Sequence, residues 1–512
     1  MDYVGKIFNF VFFKSFPMVL INHPNEVYCS DRKNDTPPDP DRGAREALRL
    51  LGPDPENWVP DRPDIDHNVT LVGGSGTGSV FAFALRRAGI GKVTVIDAAA
   101  DEPHAGLWLN RARMHKLRTP KNLPGPELGI PALSFQAWYE ARHGAEAYAA
   151  IDRIPRVAWA EYLSWYRHFL NIPVRYGVRL VRVEPADGFF RLHLEVNGVP
   201  QVETTRKIIF GNGVGGGGGA YVPPVLVEGV PQSLYAHTVE DIDFAALRGK
   251  TVAVLGSAAS AFDAAGVALE AGAKAVHLFS RRAAIASIPI NRVRGYPGAY
   301  DNYPQIPDAA RWYQAWRFRK LGSTPPADAI QRVTAFPNFH LHLSAPWSSA
   351  YERNQQIVVQ VNDETFEFDF AIAGTGYFIN PAARPEFDGF AQHIALWRDR
   401  FTPPADQQDE ELGNHPYLGK GHEFQEKVSG TAPYLKDIHI YNPAGFVSFG
   451  LPIGDVPSIK RDIPAVVSRI SHDLFFADWD HHEQRITGDY PADFDESLYA
   501  HSIWKKTAGA IV

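Results

Sequence analysis

Two glycine-turn segments hold the residues whose types and spacing imply chemistry. In the first, VTLVGGSGTGS (residues 69–79), Gly73, Gly74, Gly76 and Gly78 leave the backbone bare where an apolar strand runs into a helix. Bare backbone admits a pyrophosphate, and the free amides of a helix N-terminus supply its counter-charge. VTVIDAA (residues 93–99) follows, with Asp97 placed 24 residues after Gly73. A carboxylate at that strand end accepts the hydrogen bonds of an adenosine ribose and repels a 2′-phosphate, so FAD or NAD is expected here rather than NADP. The alternative is a glycine turn without a ligand.

The second segment, KTVAVLGSAASA (residues 250–261), keeps Gly256 at the tight turn but has Ala258 and Ala261 where glycine is usual. Its far strand end also differs in charge, with Ser280, Arg281 and Arg282 standing where the first unit has Asp97. Guanidinium groups match a 2′-phosphate through bidentate, charge-assisted bonds. The second unit therefore reads as a site for NADPH, the alternative being a solvated strand end.

The elements around these turns form two βαβ units. VTLVG, SVFAFALRRAG and VTVIDA make the first, and TVAVLG, ASAFDAAGVALEAG and AVHLFS the second. A helix pattern at WAEYLSWYRHFL and strand patterns at FRLHLEV, RKIIFG, IVVQV and FDFAIAG complete an α/β chain. The expected architecture is two Rossmann-like dinucleotide-binding domains, the second inserted in the first, with extra helical segments. Its expected parts are an N-terminal arm and satellite helix (1–68), a first FAD part (69–225), an NADPH domain with an aromatic insertion (226–370), a second FAD part (371–475) and a C-terminal extension (476–512). GGGGG at 215–219 is a candidate hinge.

With 512 residues, 45% of them hydrophobic, the chain can fill more than one core. A net charge of −7 without a long basic run gives no electrostatic reason for a nucleic-acid partner. The single cysteine, Cys29, excludes an internal disulfide framework and an internal CxxC pair. Electrons passed from a nicotinamide to a flavin then have oxygen or a small acceptor as outlet. The apolar stretch IFNFVFFKSFPMVLI is broken by Lys14 and no cleavage pattern follows it, which points to a surface arm or dimer contact on a cytoplasmic protein, the alternative being loose membrane association. His481 and His482 lack the ligand spacing of a metal site.

The order of motifs resembles the class B flavin-dependent monooxygenases, the group of N-hydroxylating, Baeyer–Villiger and flavin-containing monooxygenases, from about Val69 to about Phe475. VGGSGTG with Asp97 carries the resemblance at the FAD site. GLW (106–108) brings Trp108 to the place of the family's Gly-Gly-x-Trp turn near the flavin. IIFGNG (208–213) is similar to the first crossover, and FAIAGTGY (370–377), with Thr375 and Gly376, to the second. LGSAAS, with Gly256, Ser257 and Ser260, joins Arg281 at the NADPH site.

The resemblance implies a C4a-(hydro)peroxyflavin, guarded by bound NADP+, that oxygenates a small organic substrate with molecular oxygen. Baeyer–Villiger members carry a fingerprint before the second nucleotide unit, and in PQSLYAHTVED (231–241) only its histidine, His237, survives. His237 is then a catalytic candidate, an interdomain residue that senses or positions the nicotinamide domain, the alternative being a plain hydrogen-bonding surface residue. Arg292 and Arg294 in INRVRGYPG are the candidates for a Baeyer–Villiger arginine, or else phosphate contacts or a solvated loop. The eroded fingerprint favours nitrogen or another soft nucleophile over a ketone. His115, Arg118 and Thr119 are expected near the flavin or substrate, and Gly454, Asp455 and Ser458 at a late return to the flavin. The aromatic stretch 289–322 suits a pocket, a lid or an oligomer interface. A flavin reductase without oxygen insertion and a structural protein that retains FAD remain open alternatives.

Overall fold

In a computed structural model of the chain, the described residues are 39–123, 125–290, 296–450 and 453–505. The apolar arm with Cys29, and Arg292 and Arg294, lie outside them.

The first sheet is built on β1 (His67–Val72) and β2 (Val93–Ile96), joined through the helix Gly76–Arg87. β3 (Lys116–Pro120) and β4 (Arg153–Pro155) form a separate antiparallel pair, and β5 (Val178–Ala186), β6 (Phe189–Val196) and β7 (Val199–Phe210) a meander. The last part of β7 lies parallel to β1, with Val72 opposite Phe210, giving the order β2-β1-β7-β6-β5. β1 is buried over Asn68–Leu71, between β2 and β7 and against the helix Gly76–Arg87, which is why VTLV reads as a largely apolar run.

β8 (Gly218–Ala220) leaves this sheet, and a second one is assembled from β9 (Tyr235–His237), β10 (Thr251–Leu255), β11 (Ala275–Phe279) and β12 (Phe339–His342). An antiparallel meander of β13 (Trp347–Arg353), β14 (Gln356–Val361) and β15 (Glu364–Phe368) precedes β16 (Phe370–Ala373), which completes the parallel order β12-β11-β10-β16-β9. Ala371 to Ala373 thus belong to the second sheet, three residues past the expected boundary. The chain returns through β17 (Tyr377–Ile379), antiparallel to β8, and ends the first sheet with β18 (Ile438–Ile440) beside β7. The long helix Val456–Ala477 closes that half against the helix Gly76–Arg87, and Phe81 meets Tyr441 edge-on at 5.0 Å.

Two expectations change. The glycine run is a close contact, not an open hinge: a Cβ on Gly218 would stand 2.2 Å from the Phe378 carbonyl oxygen, and one on Gly217 2.8 Å from Ala444. Part of the aromatic stretch is core, since the helix Asp308–Leu321 buries Trp312 against Trp397 and Phe401. Among the described residues no helix is long and apolar enough to cross a membrane.

Candidate functional site

Both turns stand at the carboxyl ends of parallel strands, where open α/β sheets bind ligands. Gly73 has φ +116° and Gly256 φ +117°, left-handed backbone that favours glycine. A Cβ on Gly73 would lie 2.4 Å from the Gly211 carbonyl oxygen, and one on Gly256 2.3 Å from that of Gly374. Each turn therefore passes directly beneath its own crossover, Gly211–Asn212–Gly213 or Gly374–Thr375–Gly376. Gly78 is equally constrained, its Cβ falling 2.2 Å from the Gly73 carbonyl oxygen. At the matching place Ala261 fits because Gly374 opposite is bare; a Cβ on Gly374 would come within 2.7 Å of it. The damaged motif is a repacked one.

Neither turn helix has a side-chain cap: Ser75 makes no cap bond, and Ala258 has no polar side chain. The first-turn amides are left for an acceptor from outside, which fits a phosphate. Gly74 N–H donates to Asp97 Oδ2 at 2.7 Å, and Ala99 N–H to Oδ1 at 2.8 Å. Each carboxylate oxygen keeps lone-pair capacity for a ribose hydroxyl. In the second unit, Ser280 Oγ donates to Ser257 Oγ at 3.0 Å, a neutral tie where the first has an ionic one. Ser260 is half-buried in the first turn of its helix.

The two arginines separate. Arg281 is exposed, with neither a hydrogen bond nor an ion pair to another described residue. Arg282 donates to the carbonyls of Arg319, Lys320 and Leu321 at 3.0–3.4 Å, closing the C-terminus of the helix Asp308–Leu321. It is a helix cap and not a free phosphate contact.

Gly106, at φ +74°, brings its loop over the first turn, where a Cβ would be 3.1 Å from that of Ser75. Trp108 follows, half-buried and edge-on to Trp159 at 6.4 Å. Beyond it, the segment expected at the flavin faces the other half. Arg118 pairs with Asp263 at 3.3 Å on the second turn helix, His115 stands 3.9 Å from Glu270, and Arg113 donates to the carbonyls of Thr238 and Glu240. Burial raises the Asp263 carboxyl above its ordinary range, with Arg118 and Arg332 opposing. Thr119 is half-buried and makes no side-chain hydrogen bond to a described residue.

His237 ends β9 at the junction of the halves. It is fully buried, its Nδ1 accepts the Val239 N–H at 3.1 Å, and its Nε2 has no hydrogen-bond partner among the described residues. The proton of the neutral ring is thereby assigned to Nε2, and the ring meets that of Tyr377 edge-on at 5.5 Å. Burial lowers its pKa, partly offset by the Gly376 backbone. Thr375 Oγ1 donates to the Tyr221 carbonyl, and Tyr221 N–H to that of Gly376 at 2.9 Å, so both crossovers are stitched together.

At the late return, Gly454 (φ +97°) has open space around its Cβ position. Asp455 and Ser458 are occupied otherwise than expected. Asp455 caps the helix Val456–Ala477 through the Ser458 N–H, and Ser458 Oγ meets the Tyr441 hydroxyl at 2.9 Å. Burial pushes the Asp455 carboxyl up to about 6. Sequence reasoning missed Asn212 and Asn442, whose side chains bond at 3.0 Å and join the ends of β7 and β18. The available signal was an asparagine at each strand exit, in GNG and YNP.

Residues 145–292 match the family of L-lysine 6-monooxygenase/L-ornithine 5-monooxygenase. The chain is 38% identical over 440 residues to the FAD-dependent urate hydroxylase of Xanthomonas campestris pv. campestris, spanning 84% of this chain and 91% of that one. Its fold is similar to that of the ornithine hydroxylase from Pseudomonas aeruginosa, with a TM-score of 0.63 at 17% identity, over 80% of this chain and 99% of that one. It is also similar to the L-lysine 6-monooxygenase from Pseudomonas syringae, at 0.60 and 17%, with the same coverage. An enzyme is thus established, and FAD is the cofactor that the bare first turn fits. The chain belongs to the class B flavin-dependent monooxygenases, the family of the lysine and ornithine N-hydroxylases and related FAD-dependent hydroxylases.

Proposed function

We propose that the chain is an NADPH-dependent monooxygenase that holds FAD at the Gly73 turn and NADPH at the Gly256 turn, and inserts oxygen into a small, electron-rich substrate. The observation that carries this reading is the exchange of Asp97 for Ser280 between two turns of otherwise matched geometry. One turn ends in a carboxylate that suits a ribose diol and repels a phosphate. The other ends in a hydroxyl beside the cation of Arg281, unpaired among the described residues, which suits the 2′-phosphate.

Gly73, Gly74, Gly76 and Gly78 admit the flavin dinucleotide's pyrophosphate, and Asp97 orients its ribose. Gly454 leaves the helix Val456–Ala477 approachable from the flavin side, and Trp108 forms part of the wall. Gly256, Ser257 and Ser260 receive the second pyrophosphate. His237, Thr375 and Gly376 fix the crossover between the sites, with His237 as a positioning residue. Bound flavin, reduced by a nicotinamide, supplies the electrons that cleave dioxygen, one oxygen atom going to the substrate and the other to water.

For the substrate, a polar heterocycle of the urate kind is the first choice, because the urate hydroxylase spans both halves of the chain while the lysine/ornithine profile covers residues 145–292 only. Urate is an electron-rich nucleophile, in keeping with the expectation of a soft centre; an amine is the second reading. The test is oxygen and NADPH consumption by purified holoenzyme with urate, lysine, ornithine and a cyclic ketone in turn, with product identified by mass. One NADPH and one oxygen per hydroxylated urate supports the reading. Coupled lactone formation from the ketone, or hydrogen peroxide alone with every substrate, overturns it.

A further inference from the structure

The C-terminal extension is apolar in the wrong place for a monomer. Every residue from Glu483 to Lys505 is exposed, and among the described residues beyond the helix Trp479–Thr487 the only regular structure is the single turn Ser497–Ala500. Within it Phe494 (60% exposed), Leu498 (67%), Tyr499, Ile503 and Trp504 (78%) project from the rest of the chain, while Tyr490 at its root lines the neighbouring groove and its hydroxyl donates to the Arg485 carbonyl. A solvated tail lacks such residues, since composition of this kind supplies the apolar surface that drives association. Together the five side chains hold on the order of 700 Å² of accessible surface, close to the roughly 800 Å² per partner of a stable interface.

A receptor for that surface lies at the root of the arm. A groove of about 690 Å³ is lined by Trp58, Phe475, His482, Ile486 and Arg485, among others. Its floor is aromatic, with His482 stacked on Phe475 at 4.5 Å and tilted toward Trp58 at 5.5 Å. On its rim, the Arg485 side chain has no ion pair with a described residue. The tail carries Asp493 and Glu496, equally without an ion pair among the described residues, between its apolar side chains. An apolar, acidic arm and an apolar, basic groove on one chain are self-complementary, as a two-fold interface requires.

We propose that two copies of this chain exchange their C-terminal arms, the stretch 491–504 of each lying in the groove lined by Trp58, Phe475, Ile486 and Tyr490 of the other. The partner is a second copy because both the arm and its receptor recur on every copy, and a two-fold closes the contact without leaving an arm over. Phe494, Leu498 and Trp504 fill the aromatic floor, and Asp493 or Glu496 meets Arg485 across the rim.

Sedimentation and light scattering of the full-length holoenzyme, from low to high micromolar concentration, measure the association. Twice the chain mass is expected for the natural sequence. L498E/W504E, at exposed positions that leave the fold and the flavin absorbance unchanged, should run at the single-chain mass. R485E should weaken the dimer at least 10-fold, and R485E/E496R should recover part of that loss. A natural chain that stays single throughout, a dimer that survives L498E/W504E, or an arm that binds lipid vesicles while the chain remains single each overturns the proposal.

Discussion

Replacing Arg281 by alanine tests coenzyme choice most directly, because the change touches a side chain that holds nothing else in place. Arg281 is exposed and free of described partners, so its removal should leave the melting temperature where it was. A charge-assisted bond from a guanidinium to a phosphate contributes about 1.5–3 kcal/mol. Solvent at this strand end favours the lower part of that range, which corresponds to a loss of about 10-fold to 50-fold in kcat/KM for NADPH. NADH lacks the 2′-phosphate and should be used as before, so the NADPH preference should fall by the same factor. Anaerobic stopped-flow reduction, followed through the flavin's visible absorbance at varied coenzyme concentration, reads both values. Arg282 provides the control. Its guanidinium closes three carbonyls of the helix Asp308–Leu321, so Arg282→Ala should cost about 1–2 kcal/mol of stability and leave the preference unchanged. An unaltered ratio in Arg281→Ala, or a lowered one in Arg282→Ala, would refute the assignment.

Gly73→Ala forces a Cβ to within 2.4 Å of the Gly211 carbonyl oxygen at φ +116°, and should empty the protein of FAD; Gly256→Ala should retain the yellow flavin yet raise KM for NADPH at least about 10-fold. Flavin content per chain and coenzyme kinetics check both, and a fully loaded Gly73→Ala would dismiss the first site. Asp455, pushed up to about 6 from 3.8, keeps in the folded protein a proton that the unfolded chain gives up. Stability from this group is whole below about pH 4 and is lost as pH rises through about 6, by up to about 3 kcal/mol. Asp455→Asn can still accept the Ser458 N–H without titrating, so its urea midpoint should decline less than that of the natural chain between about pH 4.5 and about pH 7.5, and an equal decline would count against it. His237→Asn keeps an acceptor for Val239 N–H and deletes Nε2; holoenzyme stability should change by less than about 1 kcal/mol while KM for NADPH rises with kcat little altered. Loss of stability with unchanged coenzyme kinetics would make His237 a core residue alone.

The α/β class and both turns were legible in the sequence because a buried parallel strand and a glycine turn are local: VTLVGG and TVAVLG contain within a few residues both the apolar run and the bare backbone. The crossovers, in FGNG and AGTG, came through the resemblance to the family, since their glycines alone are ordinary strand and turn residues. The destinations of long side chains were not. Arg281 and Arg282 are adjacent and chemically identical, and only the arrival of a helix some 40 residues later binds one and leaves the other free. His115 and Arg118 follow a loop that does cover the first turn, but β3 then carries them across to Asp263 and Glu270. The glycine run misled through composition, since glycine serves close approach as well as freedom, and the choice depends on what stands opposite. Here that is Phe378 and Ala444, more than 150 residues away in sequence.

The connections between the two halves limit what either site can do by itself. The chain crosses twice, at β8 and β17, and Thr375 and Tyr221 bind those crossings into one ribbon. Apart from the ribbon, Arg113 reaches carbonyls of the inserted half and Arg118 reaches Asp263, while Arg332 of that half donates back to the Arg113 carbonyl at 2.8 Å. A rotation about the ribbon must therefore part Arg118 from a carboxylate that is almost wholly buried, and removing one partner from such a pair is costly. Arg332 offsets that cost, since it stands 4.0 Å from the other oxygen of Asp263 and moves with it. The inserted half thus carries its own replacement cation, and the contact opens at far less cost than a solitary pair. Asp263 lies on the helix that begins at the Gly256 turn, so one helix joins that turn to the contact between the halves.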